Sequence, residues 1–327
     1  MIGYHASHEQ FDPAELLGHA RRAEQAGFQA LMCSDHFHPW TAGQGQSGQS
    51  WVWAGAAVAG SSLSIGMVTC PYLRYHPAIV AQALATLERL ASGHCWLAVG
   101  SGEALNERVC GLPWPEKAER HARLLDAAEV MRALWRGEAV ERRDQCPPVG
   151  PARLYTIPQR PIPLLGAALT EDTARWLGGW ADGLITVNLP MPRLRALVDA
   201  FRDGGGEGKP LYLQVKLSYA ETEAEAIAGA MDQWRCNVLP APVAESLSRP
   251  EDFSALAELV DEDRMREHVR VSSDVGQHAA WLAEYRALGF ERLYLHNVNR
   301  GQSRFIDDFG ACVLPLLVDQ DANVNQA

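Results

Sequence analysis

Short apolar runs alternate along the chain with longer segments whose apolar positions recur every third or fourth residue. The first run, Ile2 to Ala6, reads as a buried strand. Pro13 to Ala26 follows with a helical stripe of Leu16, Leu17, Ala20 and Ala23, and Gly27 stops it. Phe28 to Cys33 predicts a second strand, Trp53 to Gly60 a helix of small residues, and Leu63 to Cys70 a third strand. Pro77 opens an amphipathic helix with Ile79, Ala83, Leu84, Leu87 and Leu90 on one face. Cys95 to Val99 is the fourth strand, breaking into Gly100-Ser101-Gly102, and Glu119 to Trp135 is a long helix. Strands five, six and seven are Pro163 to Ala167, Gly183 to Val187 and Leu211 to Ser218. Their helices are Glu171 to Trp180, Arg193 to Arg202 and Glu221 to Trp234. Ser273 to Leu288 is a helix, Arg292 to His296 the eighth strand, and Arg304 to Val318 the last helix, before a polar tail after Asp319. Two stretches lack periodicity: 137–160, rich in proline and charge, with Ala152 to Thr156 as a small hairpin strand, and 237–263.

Strand and helix alternate in order, with neither a repeat nor a linker. The pattern predicts an α/β fold, one (β/α)8 TIM barrel over residues 1–327 with insertions near 137–160 and 237–263. The competing doubly wound sheet calls for Gly-x-Gly-x-x-Gly after an early strand; Gly100-Ser101-Gly102 is a fragment of that motif and follows strand four. At 327 residues and 47% hydrophobic content, the chain has the material for a large core. A net charge of −11 argues against nucleic acid and anionic lipid and leaves a small-molecule substrate as the expected partner. No apolar run reaches membrane-span length and no basic, apolar leader precedes the first strand, so a cytoplasmic location is expected. The seven cysteines are scattered without a Cys-x-x-Cys pair, which predicts reduced thiols and no zinc cluster.

In a barrel every strand ends at one mouth, where the chemistry collects. The densest such end is Cys33-Ser34-Asp35-His36-Phe37-His38-Pro39-Trp40, which closes strand two with a carboxylate, two imidazoles and an indole. Strand four delivers Glu103, Asn106 and Glu107 to the same mouth. An imidazole (His36) and a carboxyl (Glu103) arriving from separate strands can divide acid and base duties. Glu103 read alone also suits the N-terminus of a short helix. The turn from Gly166 to Thr170 offers N–H groups to a phosphate, and Trp40, Trp51 and Trp53 are candidates to wall an aromatic cofactor or simply to fill core. His36-x-His38 and His5-x-x-His8 raise a metal alternative, a mononuclear site of His5, His36 and His296 in a barrel hydrolase.

Three segments carry a resemblance: Ser34 to Trp40, Val68 to Pro77 with its Arg74-Tyr75, and Gly100 to Glu107. Together they resemble the luciferase-like superfamily of flavin and deazaflavin oxidoreductases, in the branch with the deazaflavin-dependent glucose-6-phosphate dehydrogenases. The opening Gly3 to Phe11 and the turn at Gly166 to Thr170 are similar to an FMN-dependent subgroup. The resemblance implies a bacterial-luciferase-like barrel, a homodimer, and cofactor contacts from Asp35, Met67, Val68, Cys70 and Asn106, with Ala167, Ala168, Leu169 and Thr170 at the cofactor phosphate. It implies a non-proline cis peptide at Met67-Val68. His36 would be the base, Glu103 the acid beside the ring, and Trp40 the wall of the substrate pocket. The cations that hold a sugar phosphate in the relatives fall here on Pro190 and near His268, which argues against glucose 6-phosphate. Leu169 and Thr170 replace two glycines in the phosphate turn, so a smaller FMN is expected ahead of the deazaflavin coenzyme F420. The expected function is therefore FMN-dependent oxidoreduction or monooxygenation of a small organic molecule. The alternatives are an F420-dependent dehydrogenase or reductase, a metal-dependent barrel hydrolase, and a flavin-binding protein without turnover.

Overall fold

The computed structural model describes residues 1–91 and 94–317; the expected end of the last helix at Val318 and the tail after Asp319 lie outside the described residues. Eight parallel strands form the barrel: β1 Ile2–Ala6, β2 Ala30–Ser34, β3 Ser64–Thr69, β4 Cys95–Val99, β5 Leu164–Ala167, β6 Leu184–Val187, β7 Leu211–Ser218 and β8 Arg292–Asn297. They pair in chain order throughout, β6 with β7 and β7 with β8, and β8 closes the barrel on β1 with Gly3 opposite Tyr294. The helices around them are α1 Pro13–Gln25, α2 Ser50–Ala59, α3 Pro77–Leu90, α4 Lys117–Trp135, α5 Glu171–Gly178, α6 Met191–Phe201, α7 Glu223–Trp234 and α8 Val275–Ala287. Gln302–Asp308 and a π-helical turn at Phe309–Val313 follow β8.

Alternation along each strand separates two cores. Outward residues such as Ile65, Met67, Leu97 and Leu213 pack against the helices, while Ala30, Met32, Trp96, Ala98, Leu165, Ile185, Tyr212 and Tyr294 fill the barrel. Trp96 Nε1 donates to Tyr294 Oη at 2.8 Å, so the two largest rings plug the barrel with their polar atoms satisfied. Gly66 makes room for this plug, because a Cβ there would lie 1.7 Å from Trp96 Cε2. With the interior filled, the open volume is left at the C-terminal mouth.

The hairpin in the first insertion differs from expectation. Its strands are Val140–Arg142 and Val149–Ala152, because Val140 and Val149 are the buried pair that anchors it. Tyr155, in the expected strand, is 94% exposed. The second insertion is helical in pieces: Ala241–Ala244, Pro250–Ala257 and Glu262–His268, then the two-residue strand Arg270–Val271 beside β7. Segments this short give no periodic stripe; each contributes single anchors, among them Phe253 and Met265, to a separate cluster with Trp40, Leu105 and Trp234. That cluster fastens the insertion over the mouth. No helix among the described residues is long and apolar enough to cross a membrane.

Candidate active site

A cavity of about 490 Å³ opens at the C-terminal mouth, within the range of small-molecule and cofactor sites. The loop after β1 brings Glu9 to its edge, 2% exposed, where Ser7 Oγ donates to Glu9 Oε2 at 2.8 Å. The loop after β2 brings His36, whose Nδ1 lies 3.5 Å from Glu9 Oε1 without the alignment of a hydrogen bond. Burial alone would push the Glu9 carboxyl up; the imidazole of His36 and bonds from its own backbone and from Ser7 outweigh it and hold Glu9 below the ordinary range. Trp40 packs 4.9 Å from the His36 ring and 5.2 Å from Phe253, joining the loop to the second insertion.

Glu103 sits at the N-terminal boundary of the turn Ala104–Glu107, yet its side chain makes no capping bond. It faces the cavity, receives Asn106 Nδ2 at 3.4 Å, and is pushed above the ordinary carboxylate range by burial, with His36 pulling the other way. Gly102 makes this bend possible with φ of 82°, where a Cβ would meet Cys70 and Glu107 at 2.9 Å. Asn106 Oδ1 accepts from the N–H of Phe37 at 2.9 Å, so this side chain ties the two loops together. His38 Nδ1 lies 2.8 Å from Leu105 O and has a structural partner.

Beneath the loops lies an ionic cluster. Asp35 accepts Thr69 Oγ1 at 2.8 Å and Tyr75 Oη at 3.1 Å, with Arg74 Nη2 at 3.2 Å. Arg74 also donates its N–H to Glu107 at 2.8 Å. Burial pushes Glu107 up to about 7, a carboxyl that enters the cluster at a cost.

Of the residues expected at the site, Asp35, His36, Trp40, Val68, Cys70, Glu103, Asn106 and the turn Ala167, Ala168, Leu169 and Thr170 all line the cavity. Met67 does not: on the alternating strand β3 it faces outward into the helix layer. The Met67-Val68 peptide is not cis either, since both residues keep regular register with Cys33 and Ser34 on one side and Leu97 and Ala98 on the other. The cis peptide among the described residues is Cys146-Pro147. The three-histidine metal arrangement does not assemble. Gln214 Nε2 lies between His5 Nε2 and His296 Nδ1, at 3.4 and 3.2 Å, and no group of three or more ligating side chains among the described residues could hold a metal. Residues that sequence reasoning passed over are Glu9, Gln214, Lys216, Trp234 and Glu245. Gln214 and Lys216 had a signal: they are the polar positions of β7, on the face opposite its leucines.

The turn after β5 is open to a ligand phosphate. The Leu169 side chain is 40% exposed, and Thr170 Oγ1 is taken by the N–H of Thr173 at 3.4 Å as the cap of α5. Across from it Thr186 Oγ1 is buried, lines the cavity and has no partner.

The chain matches the luciferase-like monooxygenase family over residues 2–292. It is 34% identical to an F420-dependent glucose-6-phosphate dehydrogenase of Beutenbergia cavernae, covering 99% of both chains, and 36% identical to one of Intrasporangium calvum, covering 96% of this chain and 98% of that one. The solved structure of an F420-dependent secondary alcohol dehydrogenase in complex with an F420–acetone adduct superposes with a TM-score of 0.89 at 30% identity, over 97% of this chain and 98% of that one. These relatives overturn the expectation of FMN and of an FMN-dependent monooxygenase. Of the two side chains expected to narrow the phosphate turn, Thr170 is engaged as the cap of α5. The chain belongs to the luciferase-like monooxygenase family and is an oxidoreductase of that class.

Proposed function

We propose that this protein is an F420-dependent dehydrogenase that oxidises an alcohol at the cavity between His36 and Glu103. The observation that carries the reading is the convergence of the Glu9–His36 pair and a raised-pKa Glu103 on one cavity. The F420-dependent relatives support it across almost the whole chain. The residues present fit the coenzyme. Val68 and Cys70 offer a wall for a flat ring system, and the Ala167 to Thr170 turn with the unpartnered Thr186 hydroxyl offers donors to a phosphate.

Bound F420 would supply a two-electron hydride acceptor. His36 accepts the substrate hydroxyl proton, and Glu9 steadies the imidazolium that results. Glu103, whose affinity for a proton is raised by burial, stands on the opposite side of the cavity as the acid. Trp40 and Trp234 close the sides and keep water from the reacting atoms. The test is fluorescence titration of the purified protein with F420 and with FMN in competition. F420 should bind and FMN should not displace it; FMN binding in preference to F420 refutes the proposal.

A second copy of the chain is the proposed partner, docking on the face shared by α2 and α3. Val52 and Ile79 stand 75% and 57% exposed there, beside a groove lined by Trp51, Ala83 and Leu87. Light scattering should give a dimer, and Val52→Glu with Ile79→Glu a monomer. A wild-type monomer at micromolar concentration refutes it.

A further inference from the structure

Lys216 is the cation of this cavity that the proposed chemistry leaves unused. It projects from β7 into the mouth, its backbone clamped by Asn188, which accepts the Lys216 N–H at 2.7 Å and bonds His268 O at 3.0 Å. Its Nζ lies 5.9 Å from the Trp234 ring centroid, and no hydrogen bond or ion pair reaches it among the described residues. Two inner cations are paired, Arg74 with Asp35 and Glu107 and Arg120 with Glu245 at 2.5 Å, while exposed Arg264 pairs with Glu267 at 2.9 Å. Burial draws the Lys216 ammonium down to about 8, with Cys236 and Glu103 pulling it back, so it remains mostly charged at neutral pH. A half-buried ammonium without a partner is one that a ligand anion can pair.

The charge available sets the kind of anion. His268 is pushed down to about 4 by burial and the cations around it, so it is neutral at pH 7. Arg193 is exposed at the rim, and Lys117 starts α4. Lys117 and Arg193 reach the cavity from helices, whereas the barrel strands give it one lysine or arginine, Lys216, bordered by Trp234 and Val238. One cation beside apolar walls matches a monoanion with a short carbon chain, whereas a phosphate dianion calls for several donors.

We propose that Lys216 is the specificity residue of this site and that the substrate is a hydroxy acid, its carboxylate paired with the Lys216 ammonium while its hydroxyl faces His36. The proposal rests on the dehydrogenase reading above. The carbinol C–H pair leaves as hydride to oxidised F420, the hydroxyl proton passes to His36, and an oxo acid remains. Two electrons leave the alcohol carbon and two enter the coenzyme.

Product-side binding tests the pairing without turnover. Intrinsic tryptophan fluorescence of the F420-free protein is titrated with 2-oxobutanoate and 4-oxopentanoate, with the neutral butanone and 2-pentanone, and with dihydroxyacetone phosphate. One oxo acid should bind at least ~10-fold tighter than its ketone. Lys216→Met should erase that preference, and Lys216→Arg should keep part of it. The melting temperature of Lys216→Met should not fall, because an unpaired charge is replaced by an apolar chain of similar length. Equal binding of acid and ketone, a preference that survives Lys216→Met, or tighter binding of dihydroxyacetone phosphate overturns the proposal. If the protein fails to bind F420, the dehydrogenase reading falls, while these titrations still report on Lys216. With F420 bound, the matching hydroxy acid should be oxidised, and Lys216→Met should raise its KM far more than it lowers kcat.

Discussion

Glu9→Gln tests whether the buried carboxylate supports proton removal by His36. The substitution keeps size and an acceptor for Ser7 Oγ but deletes the charge 3.5 Å from His36 Nδ1. At an effective dielectric near 20, a full charge pair at this separation is worth roughly 5 kcal/mol as an upper bound. The transition state carries part of the positive charge, so about 2–3 kcal/mol should be lost, on the order of 30- to 150-fold in kcat/KM. The loss should fall on kcat, since the imidazolium forms only as the proton is taken. The assay is stopped-flow bleaching of F420 absorbance on mixing with substrate, alongside fluorescence titration of F420 and a thermal melt. F420 affinity should be unchanged, and the melting temperature should fall only slightly, because the favourable charge is lost while Ser7 keeps its acceptor. A kcat/KM within about threefold of wild type would refute the reasoning, as would an effect confined to KM.

Three further outcomes follow from the packing and charge described above. Gly66→Ala forces a methyl into Trp96, where the ideal position is 1.7 Å from Cε2; overpacking of about 1–3 kcal/mol should lower the melting temperature by several degrees, and an unchanged melt would contradict it. Arg120→Met strands Glu245 and unpins the second insertion from α4. A stability loss of about 3–5 kcal/mol and a raised substrate KM are expected from urea unfolding and steady-state kinetics. Glu107 titrates near 4.5 when unfolded and about 7 when folded. The folded state holds the extra proton across that window, so this group makes stability fall by roughly 3 kcal/mol as pH rises through it, with no further change above. Glu107→Gln should flatten that slope in urea midpoints between pH 5 and pH 8; an unaltered slope would be the adverse result.

The barrel was legible because each strand is a short apolar run between stops: β1, β4 and β7 begin and end where the pattern places them. The extra hairpin slipped because its placement depends on two buried valines nine residues apart rather than on local alternation. The helices of the second insertion escaped notice because none is longer than eight residues. At the site, the loops after β2 and β4 announced themselves by crowding titratable groups into a few residues. Glu9 carried no such mark. It becomes an imidazole's partner only through the pairing of β1 with β2, which sets Ala6 beside Cys33 and brings the two loops together.

The cofactor expectation failed at a different level, and the turn after β5 shows how. Replacing two glycines by Leu169 and Thr170 was taken to narrow the approach to the backbone, which holds only if the new side chains point at the ligand. Their direction follows from the path of the chain. Thr170 has φ of −134° and ψ of 151°, extended backbone that needs no glycine, and its hydroxyl turns into α5. Leu169 lines the cavity but stays 40% exposed, so it does not seal the turn. A residue type states what a side chain would block, and the backbone decides which way it blocks. Lys216 is the converse case: an ordinary lysine in a strand pattern, it acquires meaning from facing into the cavity without an ion pair of its own.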